Sequence, residues 1–184
     1  DDLEIPLKPG KFSSLKVDID GTAANGSAAF HDVGKLELRR EIDGSQVTLH
    51  QPVPFSLHNL HNRYFSRGDV PFETNAGGAH RLLSFVDMAI PGPMLSGNVL
   101  EVRSRNEAQL VFKPSDDLLQ VFDGDVPVRV VGIEEPSATE MYVRRLEYQR
   151  PAFSSVGEEQ EIPTAANTIR HLIRDPNGII DEFD

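Results

Sequence analysis

The sequence predicts an all-β fold, an antiparallel sandwich of about eight short strands, and three observations carry that reading. Apolar residues alternate with polar ones in short runs, as in Leu15-Lys16-Val17-Asp18-Ile19 and Leu36-Glu37-Leu38. Gly, Pro, Asn and Asp punctuate the chain between those runs, where turns must fall. With 184 residues, 39% hydrophobic and 26% charged, the composition is that of one ordinary globular domain, neither disordered nor membrane-spanning.

Taken in order, Leu15 to Ile19 forms a first strand that Asp20-Gly21 should end. Thr22 to Ala29, small and polar around Asn25-Gly26, is a loop. Leu36 to Ile42 and Val47 to Leu49 form a hairpin across Asp43-Gly44, which supplies the positive φ angles of a two-residue turn. Phe55, Leu57, Leu60 and Tyr64 recur at three- and four-residue spacing and predict a short inserted helix that stops near Gly68. A polar loop from Thr74 to Ala79 leads into an apolar strand, Leu82 to Ile90, which Pro91-Gly92-Pro93 must terminate. That stretch contains Ser84 and Asp87 and is too short to cross a bilayer as a helix.

Val99 to Val102 and Ala108 to Phe112 are expected to pair as a hairpin across Arg103 to Glu107. Leu118 to Phe122 and Val126 to Ile133 should do the same across Asp123-Gly124-Asp125. Glu134 to Glu140 is an acidic connection, and Met141 to Gln149 the last long element. The expected organisation is a β domain over residues 1–150 followed by an acidic C-terminal arm, 151–184, that packs on a neighbour or stays mobile. No charged and apolar leader is read at the N-terminus.

Charge narrows the partners. Lys and Arg total 18 against 29 Asp and Glu, a net charge of −11, which repels polyphosphate and argues against direct nucleic-acid binding. Only five of the bases are Lys, and an acid-rich, Lys-poor surface suits concentrated salt, where screening relieves self-repulsion. The chain has no cysteine, which removes disulfides, thiol nucleophiles and cysteine metal sites.

Candidate chemistry is sparse. His58 and His61, at i and i+3, could share a metal with His50 or His80, yet no Glu follows in the pattern of a helical zinc protease. Two histidines that simply hydrogen-bond around an Asn-rich helix are the favoured reading. The carboxylate pairs Asp116-Asp117, Glu134-Glu135 and Glu158-Glu159 fall in turns, as does Asp123-Gly124-Asp125, and read as solvated surface. No Gly-x-Ser-x-Gly elbow and no phosphate-binding Gly-x-x-x-x-Gly-Lys occurs, and Gly77-Gly78 precedes a strand. Asn25-Gly26-Ser27 matches the glycosylation triplet but is first a turn signal. Arg39-Arg40, Arg103-x-Arg105 and Arg144-Arg145 lie in or beside strands, on solvated faces or against a partner's acids. The residues thus assign no catalytic, cofactor-binding or metal site.

From Ile42 to Val102 the layout runs strand, Asp-Gly-Ser, strand, then Phe55-Ser56-Leu57-x-Asn59-Leu60-x-Asn62-Arg63-Tyr64-Phe65. A loop through Phe72-Glu73-Thr74-Asn75 and an apolar strand ending at Pro91 complete it. This layout resembles the single jelly-roll major capsid proteins of tailless icosahedral viruses with an internal membrane. With the chain's size and its acidic, Lys-poor character, it is most similar to the smaller capsid protein of the sphaerolipovirus type, from viruses of halophilic archaea. The likeness lies in layout more than in strict motif and leaves the segment after Arg150 uncovered. It implies a single antiparallel jelly roll located in the virion that assembles with itself, with a larger single jelly-roll capsid protein and with vertex (penton) proteins over the viral membrane. It implies no catalytic residue and no cofactor. Two other classes remain open: a jelly-roll carbohydrate-binding module, disfavoured by 7% aromatics and no Trp, and a cupin-like enzyme holding a metal on His58, His61 and His80. A phage tail or accessory head protein is a further alternative.

Overall fold

The structure is a computed structural model that describes residues 1–23, 33–55, 57–58, 73–74, 79–88, 98–116, 118 and 122–140. All of them lie in the compact unit Asp1–Tyr148. They form two antiparallel sheets, so the all-β expectation holds. The first sheet has the order β1 (Leu3–Pro6), β8 (Ala108–Pro114), β3 (Gly34–Ile42), β4 (Ser45–Pro54). The second is built around the long strand β2 (Gly10–Ala23), with β10 (Val128–Glu134) on one side and β6 (Ala79–Asp87), then β5 (Glu73–Thr74), on the other.

Two further segments also pair with β2, and their register explains the second sheet. β7 (Leu100–Val102) pairs with Gly10–Phe12 where β6, paired with Ser14–Thr22, leaves off. β9 (Phe122–Asp123) pairs with Thr22 and Ala23, beyond the stretch Phe12–Ile19 that β10 covers. Phe12 has partners in both β7 and β10, and Thr22 in both β6 and β9, so the two pairs of segments lie on opposite edges of β2. β6–β7 and β9–β10 are therefore two interrupted strands, and the second sheet has four lanes, as the first does. The buried Asn98 amide donates to the Met88 carbonyl (3.1 Å) and closes the base of the excursion between β6 and β7.

This arrangement corrects two expected hairpins. β7 and β8 lie in different sheets, and the link between them, Arg103 to Glu107, crosses the sandwich. The Glu107 carboxylate shapes that link by accepting the Arg103 and Ser104 N–H groups (2.7 and 3.1 Å), and Asn106 takes φ 74°. β9 and β10 follow one another along the same edge of β2, and Gly124 (φ 80°) lies in the break between them. The strand expected to be the first is the second, since β1 precedes it, and it is also longer than expected, because Asp20-Gly21 does not end it: Gly21 pairs with His80 inside the ladder. A Cβ on Gly21 would stand 2.9 Å from the Phe122 ring, so the glycine makes room for a core aromatic instead of a turn.

The hairpin across Asp43-Gly44 is present as expected, with both residues at positive φ (51° and 75°). Of the expected helix only Phe55, Leu57 and His58 are described, and their backbone is helical. Asn25-Gly26-Ser27, His61, Gly77-Gly78, Pro91 to Pro93, Arg144-Arg145, Glu158-Glu159 and the segment 151–184 lie outside the described residues. No helix among the described residues is long and apolar enough to cross a membrane.

Both sheets contribute to one core. Leu15, Val17 and Ile19 of β2, with Leu82 and Val86 of β6, meet Leu36 and Leu38 of β3 and Leu110 and Phe112 of β8. Phe55 and Phe122 fill it without measurable exposure. Each such leucine or phenylalanine stabilises the fold by roughly 1.5–3 kcal/mol, which fixes the register of every strand that carries one.

Candidate functional site

The outer face of the first sheet follows from strand alternation. Register places Glu4, Val111 and Glu37 side by side on that face, and Pro6, Gln109, Arg39 and Thr48 in the next row. Arg39 and Glu37, two apart on β3, therefore meet. Arg39 donates from Nε and Nη2 to the two Glu37 oxygens at 2.7 and 2.9 Å, a bidentate pair. Lys113 of β8 reaches Glu37 at 2.9 Å, and the row extends outward through Arg39–Glu4 (3.4 Å) and Lys113–Asp2 (3.8 Å). Burial pushes the Glu37 carboxyl up, but the hydrogen bonds from Arg39 and Lys113 outweigh it and hold the group below the ordinary carboxylate value. The bond to Glu37, only partly opposed by burial, holds the Arg39 guanidinium above its usual value.

Arg40 points the other way and makes a second centre. Its side chain is 9% exposed, and one guanidinium joins three parts of the chain. Nη1 donates to both Glu140 oxygens (2.8 and 3.0 Å), and Nη2 to Glu107 (3.0 Å) and to the Glu101 carbonyl (3.0 Å). The Glu101 N–H donates back to Glu140 at 2.7 Å. Burial opposes the charge on Arg40, yet the hydrogen bonds to Glu140 and Glu107 prevail and raise its pKa. Glu107 is lowered: burial works against the carboxylate, and the N–H of Arg103 together with Arg40 overcomes it. The Arg39-Arg40 pair is thus engaged within the chain, and Arg40 is not on a solvated face. Sequence reasoning did not single out Glu37, although its place two before Arg39 on one strand face is a signal that could have found it, whereas Glu107 and Glu140 lie too far along the chain for any local signal.

The histidines separate into those the fold brings together and those it does not. His50 of β4 and His58 are both buried, with ring centroids 6.4 Å apart and planes 23° from parallel. His80 lies in β6, where its backbone pairs with Gly21 and Thr74. Among the described residues no group of three or more His, Asp or Glu is placed to hold a metal ion. His61, the remaining member of the expected set, lies outside the described residues. Glu134 and Glu135 are exposed at the end of β10, Asp116 and Asp125 are exposed in connections, and Arg103 and Arg105 are exposed in the crossing link.

The remaining feature is the sheet edges. Among the described residues, β1 pairs only with β8, and β10 only with β2. Each carries an exposed apolar side chain, Leu3 at 43% and Val131 at 44%. An open edge presents backbone groups that can pair with another chain. Compared with known proteins, the chain matches no family model and no curated protein.

Proposed function

We propose that this chain is a structural subunit of a virus capsid, a single jelly roll that takes its place in an icosahedral shell around an internal membrane. Its partners would be further copies of itself, a larger single jelly-roll capsid protein and vertex proteins, and its location the virion. It would carry no catalytic activity and no cofactor.

The observation that supports this reading most is the sandwich itself: two four-lane antiparallel sheets packed face to face, with strands passing repeatedly from one sheet to the other. A single jelly roll is likewise a double antiparallel sheet, of eight strands. Shell proteins need a stiff body, and the ion networks of Glu37 and Arg40 tie strands and connections together on both flanks of β3. They also need surfaces that join, and each sheet ends in an edge strand with an exposed apolar side chain. The net charge of −11 opposes self-association at low ionic strength, so assembly should need concentrated salt, as in a halophilic host.

The test is light scattering behind size exclusion, from low salt to molar potassium chloride. Reversible growth from monomer to regular oligomers as salt rises is the expected result. A compact monomer across the whole range would overturn the proposal.

A further inference from the structure

We infer that β1 is an exchangeable strand: residues 1–6 of one copy can leave their own sheet and pair with β8 of a second copy of this chain. The inference names a contact for the assembly proposed above and rests on that reading in this one respect.

Three features of β1 carry it. First, the strand is short and shallow. It pairs four residues, Leu3 to Pro6, with Phe112 to Gln109, and of these four only Ile5 is even partly buried. The first residue sealed into the core is Leu7, which lies beyond the strand and donates its N–H to the Ala108 carbonyl (2.9 Å). Second, its charged contacts are at the surface. Glu4 meets Arg39 at 3.4 Å and Asp2 meets Lys113 at 3.8 Å, each through a side chain more than half exposed. Such pairs fix register yet hold little.

Third, the hinge favours opening. β1 belongs to the first sheet and β2 to the second, and only Leu7, Lys8 and Pro9 join them. Pro6 and Pro9 bracket that hinge. Each disfavours helical or tightly turned backbone at the residue before it, here Ile5 and Lys8. The chain thus changes sheets within three residues, of which Lys8 is biased toward extended backbone by Pro9. Short hinges are a setting in which identical elements exchange between protomers. An exchanged β1 finds the same ladder on β8 and the same Arg39 and Lys113, so complementarity is guaranteed by identity.

The absence of cysteine permits a direct test. Glu4 and Val111 are Cα partners across β1 and β8, so the double variant Glu4→Cys, Val111→Cys places one thiol on each strand at a paired position. The variant is brought to molar potassium chloride, fractionated by size, oxidised and run on a denaturing gel without reductant. Exchange requires covalent dimers or longer chains in the associated fraction. It also requires a shift toward monomer-internal disulfides when Pro6→Ala and Pro9→Ala relax the hinge.

Disulfides confined within single chains in associated material would overturn exchange while leaving the assembly proposal standing. A monomer with internal disulfides at every salt concentration would overturn both. If Val111→Cys prevents folding, Asp2→Cys with Lys113→Cys, the next position along the same register and one whose side chains meet at 3.8 Å, gives the same readout with both prolines kept.

Discussion

Replacing Arg40 by methionine keeps an unbranched stem of similar bulk and deletes a guanidinium that bonds Glu140, Glu107 and the Glu101 carbonyl. Removing one partner from a buried ion pair costs about 3–5 kcal/mol, because the other is left charged and unmatched. Here two carboxylates lose their cation, but their side chains keep 15% and 21% exposure and recover part of their hydration. The lower end therefore applies, about 3 kcal/mol, or roughly 6–12 °C in Tm for a protein of this size. Urea unfolding followed by circular dichroism at pH 7 and fixed salt measures it. Combining Arg40→Met with Glu140→Gln should recover part of the loss, giving a coupling of about 1–2 kcal/mol between the two positions. A cost below about 1 kcal/mol, or strict additivity, would refute the claim that Arg40 locks the end of the sandwich.

Acid should weaken the fold in a defined window. Glu37 and Glu107 are both held below the ordinary value of 4.5, so their contribution is fully present above that pH and is lost as pH falls through their folded values. Glu37→Gln with Glu107→Gln should flatten the decline in stability below about pH 4.5, and an unchanged slope would count against both networks. At Gly132 a Cβ would overlap the Phe12 ring, so Gly132→Ala should cost about 1–3 kcal/mol in urea unfolding, with much of it restored by Phe12→Leu. Elemental analysis of the purified chain should find no stoichiometric transition metal. One ion per chain, lost in His58→Ala, would instead favour the metal-dependent alternative.

The strands were legible wherever alternation and burial agree. Leu15, Val17 and Ile19 of β2 and Leu36 and Leu38 of β3 are core residues in the pattern that predicts them. Asp43-Gly44 was legible because positive φ at two successive residues leaves few choices. Pairing partners were a different matter. Arg103 to Glu107 and Asp123 to Asp125 look like hairpin turns, but a turn signal says only that the chain changes course, not which sheet receives the next strand. Gly21 misled for a related reason, since its missing side chain serves the Phe122 ring and not a turn. Arg40 was conspicuous in the sequence, while its partners Glu101, Glu107 and Glu140 come together only when β7, the link into β8 and the segment after β10 converge.

Electron microscopy of the protein after transfer into molar potassium chloride tests the central claim most directly. The account expects particles or sheets of regular repeat that dissolve again when the salt is removed. A field of separate monomers, or only irregular aggregate, would contradict the reading of this chain as a capsid subunit.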